Sequence, residues 1–360
     1  MQPTACGKKA GSCRMGECEV SEAKNWKGQG LVNRGVMPPS TRVSLVGALR
    51  SILATRDVES DLTDVAGMSG CAFMVIVADG LARSGPTAFD WTVLKEGIQG
   101  LGLDTEIITV WYSDDLESAD VPEDIAEELF ERVRSEVDAG RCSALWGATD
   151  VPEFGVVYGY RNDSYLVRSY RSSAGGGDGV LGPDDAPEEP IQYLKLNAPG
   201  NLGAVFLGDR VEVLQDRVDH EILARAVQFL SGRHACFTPG MWPGYGAFVI
   251  WAEQLQAGNV DANGNAYTAE CCWEMQGYAA EFCTRLAARN GRAAEALRQA
   301  GVMFTNAHDR LASFRKSFPF PGSGALPDEE AIKSGADLLR ECGDLNRHAL
   351  GLLESALGLL

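Results

Sequence analysis

Apolar residues return at helical spacing through Leu45, Leu49, Ile52 and Leu53, directly after Pro38-Pro39, and predict a buried first helix with Ser40-Thr41 as its N-cap. Asp61 to Met68 predicts a short second helix stopped at Gly70, and Ala72-Phe73-Met74-Val75-Ile76-Val77 predicts a strand or a buried apolar segment. Trp91 to Leu101 reads as a helix closing at Gly100 or Gly102 and leading into a strand over Glu106 to Tyr112. Pro122 to Asp138 is acidic and amphipathic, a helix halted by Gly140. Ala144-Leu145-Trp146-Gly147 predicts a strand. The next apolar run, Pro152-Glu153-Phe154-Gly155-Val156-Val157-Tyr158-Gly159-Tyr160, turns at Arg161-Asn162-Asp163 into Tyr165 to Tyr170, which is a β-hairpin signal. Shorter strands are predicted at Ile191 to Leu196 and at Gly203 to Leu207, after a Gly175-Gly176-Gly177 and Pro/Asp/Glu-rich surface loop.

From Asp219 the pattern is helical almost throughout, with breaks at 231–243, 257–266 and 318–327. In the last helix Leu338, Cys342, Leu345, Ala349, Leu352 and Ala356 fall at alternating three- and four-residue steps, which packing explains before any outside partner does. The fold class is therefore α+β: an N-terminal arm over 1–37 without apolar period, a mixed α/β domain over 38–215 and an α-helical domain over 216–360.

Charge narrows the function classes. Fifty acidic against 32 basic residues give a net charge of −18, and no basic patch is visible, so nucleic acid is not an expected partner. The longest apolar runs, Phe73 to Ala78 and Ala247 to Ala252, are too short to span a bilayer, so no membrane partner is expected either. Ten cysteines behind a polar N-terminus predict reduced thiols in a cytoplasmic setting.

Three segments in order, Ser44-Leu45-Val46-Gly47-Ala48-Leu49, Gly67-Met68-Ser69-Gly70-Cys71-Ala72-Phe73 and Glu153-Phe154-Gly155-Val156-Val157-Tyr158-Gly159-Tyr160, carry a resemblance. Together with Gly244-Tyr245-Gly246-Ala247-Phe248-Val249-Ile250-Trp251-Ala252 they resemble the butirosin-biosynthesis acyltransferase-like family, whose N-terminal domain is akin to bacteriocin-processing cysteine peptidases. The resemblance covers roughly residues 38–360 and implies a papain-like fold for the first domain. Chemistry in that fold needs a Cys at the N-terminus of the first helix, where unpaired N–H groups favour a thiolate, and a His across the cleft to take its proton. This chain offers Val43 and Ser44 at the nucleophile position, Glu153 for the base, and Arg168-Ser169 near the orienting group. An unperturbed Glu, with a pKa of about 4.3, is a weak base for a serine hydroxyl. The expectation is a cleft remodelled away from peptidase chemistry, a pseudoenzyme of biosynthetic or regulatory type that binds a small molecule or an acyl or peptidyl group.

Two alternatives stand beside it. Cys71, flanked by small residues, or Ser44 serves as the nucleophile of a working acyltransferase or amidohydrolase, with an acyl-enzyme intermediate. Otherwise Cys6, Cys13 and Cys18 make the arm metal- or redox-responsive, although no C-x-x-C pair is present and no metal site or cofactor is predicted. Cys271-Cys272 predicts one core thiol, and His220, His234, His308 and His348 form no two-His motif. The Gly/Pro-framed Trp242 and Tyr245 are placed to line a pocket or to pack a connector. With Tyr160, Arg168 and Ser169 they complete the candidate ligand-binding set, and self-association into a homo-oligomer is left open.

Overall fold

A computed structural model of the chain describes residues 26–33, 36–82, 86–87, 89–113, 120–170, 189–233, 240–322 and 324–360. Cys6, Cys13, Cys18, His234, Cys236 and Gly175-Gly176-Gly177 lie outside them.

The first half is built on an antiparallel sheet. Its strands are β1 (Gln29–Leu31), β3 (Leu103–Trp111), β4 (Ser143–Trp146), β5 (Phe154–Arg161), β6 (Ser164–Arg168), β7 (Glu189–Gln192) and β8 (Asn201–Arg210), in the spatial order β3-β8-β4-β5-β6-β7. β5 is buried at every residue from Phe154 to Tyr160, which is why the run lacks a polar alternation. Its first half pairs with β4, and the same edge near its end pairs with β1, through Gly30 opposite Tyr160. The hairpin to β6 turns through Asn162 at φ 53°, a left-handed position that asparagine tolerates better than most residues. Residues 29–31 thus belong to the sheet, whereas the sequence reading placed them in an arm.

Helices flank this sheet. α1 (Ser44–Ala54) is buried on nearly every side and lies against β5 and β4. Its predicted cap is not found: Val43 stands at the N-cap with no side-chain bond, and Thr41 Oγ1 instead accepts from the Val43 amide at 3.3 Å. α2 (Leu62–Ser69) is capped by a reciprocal Asp61/Asp64 box and ends on Gly70 at φ 92°, as the sequence anticipates. A 3-10 turn over Cys71–Phe73 follows, so only Ile76–Ala78 forms strand β2. The Trp91 segment is a 3-10 turn running into the short α3 (Lys95–Gln99), and α4 (Glu123–Asp138) packs on the opposite side of the sheet from α1, towards β1 and β5.

The second half comprises α5 (Gln215–Leu230), α6 (Ala247–Gln256), α7 (Ala262–Arg289), α8 (Ala294–Ser317) and α9 (Glu329–Leu357). The predicted break at 257–266 is shorter, because Asp261 caps α7 through the Gly264 amide. A strand hidden in the Gly/Pro loop, β9 (Met241–Pro243), pairs antiparallel with β2. Of the expected α9 seam Cys342, Ala349 and Ala356 are buried, while Leu338, Leu345 and Leu352 are half-buried and Ala336, Leu339, Gly343, Asn346 and Leu353 complete the interior line.

The two halves share their core. One apolar cluster contains Leu49, Phe73, Trp146 and Val156 together with Phe229, Phe282 and Phe304, and a second joins Val75 and Val77 to Trp251 and Phe314. Arg285 reinforces the seam, bridging to Asp61 at 2.7 Å and Asp64 at 2.7 Å, while within the second half the buried Asp219 of α5 receives Arg289 and Asn290 from the end of α7. Among the described residues no helix is long and apolar enough to cross a membrane.

Candidate functional site: the cleft at the start of α1

Ser44 is the first residue of α1, and its Oγ accepts the Phe154 amide at 3.0 Å. That bond draws the opening of β5 against the positive end of the helix, so Glu153, the residue before Phe154, stands beside Ser44. The Glu153 carbonyl accepts the Gly147 amide at 2.9 Å, which fixes the turn between β4 and β5. Its side chain is 9% exposed and accepts the Tyr170 hydroxyl at 3.2 Å. Tyr170 follows the end of β6, whose Arg168 lies opposite Val156 in the ladder. The sequence singled out Arg168 and Ser169 near the orienting position; the contact to Glu153 comes from the next hydroxyl along.

The third wall is α7. Tyr267 donates to the Arg42 carbonyl at 3.1 Å, and Cys271, one helical turn on, donates to the same oxygen at 3.6 Å. Desolvation, then Cys271 and the charge of Glu153, push the Tyr267 phenol well above its ordinary range. Burial pushes the Cys271 thiol up likewise, helped by Cys272. Farther along, Glu274 accepts the Thr41 hydroxyl and the Arg42 amide, both at 2.7 Å, and burial raises its carboxyl despite those bonds. Two carboxylates therefore approach the α1 terminus, Glu153 from the sheet and Glu274 from α7. Glu270 meanwhile holds Arg315 through two bonds of 2.6 and 2.7 Å and Arg42 at 3.2 Å.

Cys71 lies behind this cleft. The left-handed Gly70 turns the chain so that Cys71 enters an apolar pocket with Val43, Met74, Phe89, Cys271 and Met275. Its thiol is pushed up to about 11 by burial, against a hydrogen bond with Ser69 that favours the thiolate. The helix terminus that lowers a catalytic thiol's pKa belongs to Ser44, not to Cys71. Ser44 and Glu153 are drawn together through Phe154, whereas Cys71 lines a separate apolar pocket that reaches this site only through Val43 and Cys271. Cys272 lines the same pocket, so both adjacent cysteines are buried rather than one.

The remaining candidates are dispersed. Tyr160 donates to Asp138 at 2.8 Å, with the Arg134 guanidinium 4.4 Å from its ring centre, a place on the α4 side of the sheet. Arg168 is 3% exposed and its guanidinium lies 5.0 Å from the centre of the Tyr158 ring; Ser169 is also buried. Trp242 sits on the β2–β9 ribbon and donates to Asp79 at 2.7 Å, while the Tyr245 amide donates to the Leu230 carbonyl at 2.8 Å in the connector to α6. Among the described residues no three His, Cys, Asp or Glu side chains are grouped to hold a metal ion. The sequence marks Tyr170 only as the end of a hairpin strand and Cys271 only as a core thiol, and gives no sign of Tyr267 or Glu274, whose helix packs against a segment more than 220 residues away.

A carboxylate and two phenolic hydroxyls lie near the α1 terminus, and an apolar, thiol-lined pocket lies beside it. Among the described residues no histidine stands by to activate the Ser44 hydroxyl, whose oxygen already accepts an amide proton. No family model and no curated protein matches this chain.

Proposed function

We propose that the chain is a non-peptidase relative of papain-like acyltransferases that binds a small molecule, or an acyl or peptidyl group, in the cleft between α1, β5 and α7. The observation that carries this reading is the Ser44–Phe154 bond, which sets a helix N-terminus against the strand opening at Glu153. That is the juxtaposition in which a papain-like fold joins nucleophile and base, here occupied by serine and glutamate. The papain-like assignment of the first half is part of the same proposal. The high thiol pKa of Cys71 argues against a covalent thioester, so the cleft acts by binding.

The test offers the full chain a short-chain acyl thioester and the matching acyl amide. Intact-mass spectrometry is expected to find no acyl adduct, while thermal-shift measurements show stabilisation by the amide that Glu153→Ala and Tyr170→Phe weaken. A stable adduct mapped to Ser44 or Cys71 replaces this reading with the acyltransferase one. Absence of both adduct and stabilisation removes acyl ligands from either reading.

A further inference from the structure

The two ends of the sheet are treated differently by the sequence. At one end β7 is a four-residue strand, Glu-Pro-Ile-Gln, in which Pro190 faces Leu166 and has no N–H to offer a further strand. At the other end β3 runs for nine residues, Leu-Asp-Thr-Glu-Ile-Ile-Thr-Val-Trp. One edge of β3 pairs with β8, and among the described residues no strand pairs with the other. Proteins commonly guard such an edge with lysine, proline or a bulge. Between Leu103 and Trp111 there is no lysine, arginine or proline; one bulge interrupts the ladder between Leu103 and Thr105, and the register is regular from Thr105 to Trp111. Ile107, Ile108, Val110 and Trp111 remain half-exposed along it.

We propose that β3 is a self-association edge: two copies of this chain pair antiparallel about a two-fold axis at Ile107, continuing the sheet from one copy into the other. A second copy is favoured as occupant because the strand is complementary to itself. Centred on Ile107, the register sets Thr105 opposite Thr109 and Glu106 opposite Ile108 across the regular part of the strand, and Asp104, at the bulge, lies across from Val110, so no acid faces an acid. Centred on Thr105, Asp104 would oppose Glu106 and only the start of the strand would pair. The two Glu106 side chains lie diagonally in the favoured register, and each is held by Arg132 of its own copy at 2.8 Å. A net charge of −18 on each copy opposes association, so the dimer should tighten with added salt.

Sedimentation velocity and light scattering on the full chain, at about 0.05 M and about 0.5 M salt, test this. The expected result is a dimer whose dissociation constant falls at the higher salt. Ile108→Glu puts a carboxylate opposite Glu106 of the other copy and should weaken the dimer by roughly tenfold or more. Ile108→Lys puts an ammonium there and should preserve it. Circular dichroism checks that each variant is folded; if Ile108→Glu is not, Val110→Glu, opposite Asp104, carries the same test. A native chain that stays monomeric, a dimer indifferent to the glutamate variants, or a mixed dimer with another protein's strand in place of the second copy overturns the proposal.

Discussion

Glu274 Oε2 stands 2.7 Å from the Arg42 main-chain nitrogen, across 232 residues of chain, so α7 fastens the turn that leads into α1. The Thr41 hydroxyl donates to the same oxygen, and the two bonds together clamp one half to the other.

Burial raises the Glu274 carboxyl above its ordinary value, so the folded protein holds this proton more tightly than the unfolded chain. The stability it contributes is present in acid and is lost as pH rises through the native pKa. Glu274→Gln keeps an oxygen acceptor without the charge. Its melting temperature is expected to exceed that of the native chain at about pH 8 and to converge with it near about pH 4. Glu274→Ala strands the Thr41 hydroxyl and the Arg42 amide and should cost about 1–3 kcal/mol in denaturant unfolding.

Glu136 behaves in the opposite sense. Burial alone would raise its carboxyl, but hydrogen bonds from Arg141 and Arg132 outweigh burial and hold it below the usual range. Its stabilisation is present above the unfolded pKa of about 4.3 and is lost as pH falls through the lower native value. Glu136→Gln should lower stability by about 2 kcal/mol at neutral pH, with the deficit shrinking on acidification, as urea titrations at several pH values would record.

Gly67 gives α2 its seat against α7. A Cβ there would come within 2.2 Å of the Phe282 ring, which is fully buried and has no room to turn aside. Gly67→Ala is expected to destabilise by about 1–3 kcal/mol. Pairing it with Phe282→Leu should cost less than the sum of the single changes, and strict additivity in that cycle would show that the two do not meet.

Cys71 should be sluggish towards alkylation. With a thiol pKa of about 11 against about 8.5 for a free cysteine, its thiolate fraction at neutral pH is lower by roughly two orders of magnitude, before burial slows access further. Iodoacetamide labelling followed by peptide mapping should modify Cys71 only under unfolding conditions. Labelling of native Cys71 at the rate of an exposed thiol would contradict its place in the apolar pocket.

Elements whose signal is local were legible in the sequence. The span of α2 and its stop at Gly70, the hairpin turning at Asn162 and the acidic α4 all appear close to where their residues require, although the Asp61 cap itself emerges only in the fold. What the sequence hid depends on distant pairing. β1 is three residues long and exists because β5 offers an open edge at Gly159 to Arg161; β9 exists because Val77 faces Trp242. The same holds for the cleft. Ser44 and Glu153 were visible as residues at informative positions, and their proximity followed from the resemblance. Tyr267 and Glu274 are ordinary helical positions in α7 until that helix is laid against residues 41–43. On α9 the expected line is buried at Cys342, Ala349 and Ala356, but the inward leucines are Leu339 and Leu353, one position along from Leu338 and Leu352, beside the small Ala336 and Gly343.

The core that runs unbroken from Phe73 to Phe304 bears on how such a chain can change over time. Neither half presents a finished surface to its neighbour, so a recombination event that exchanged one of them alone would deliver mismatched side chains to the middle of the protein. Variation is therefore expected to accumulate by single substitutions, with the two halves inherited together as a single unit.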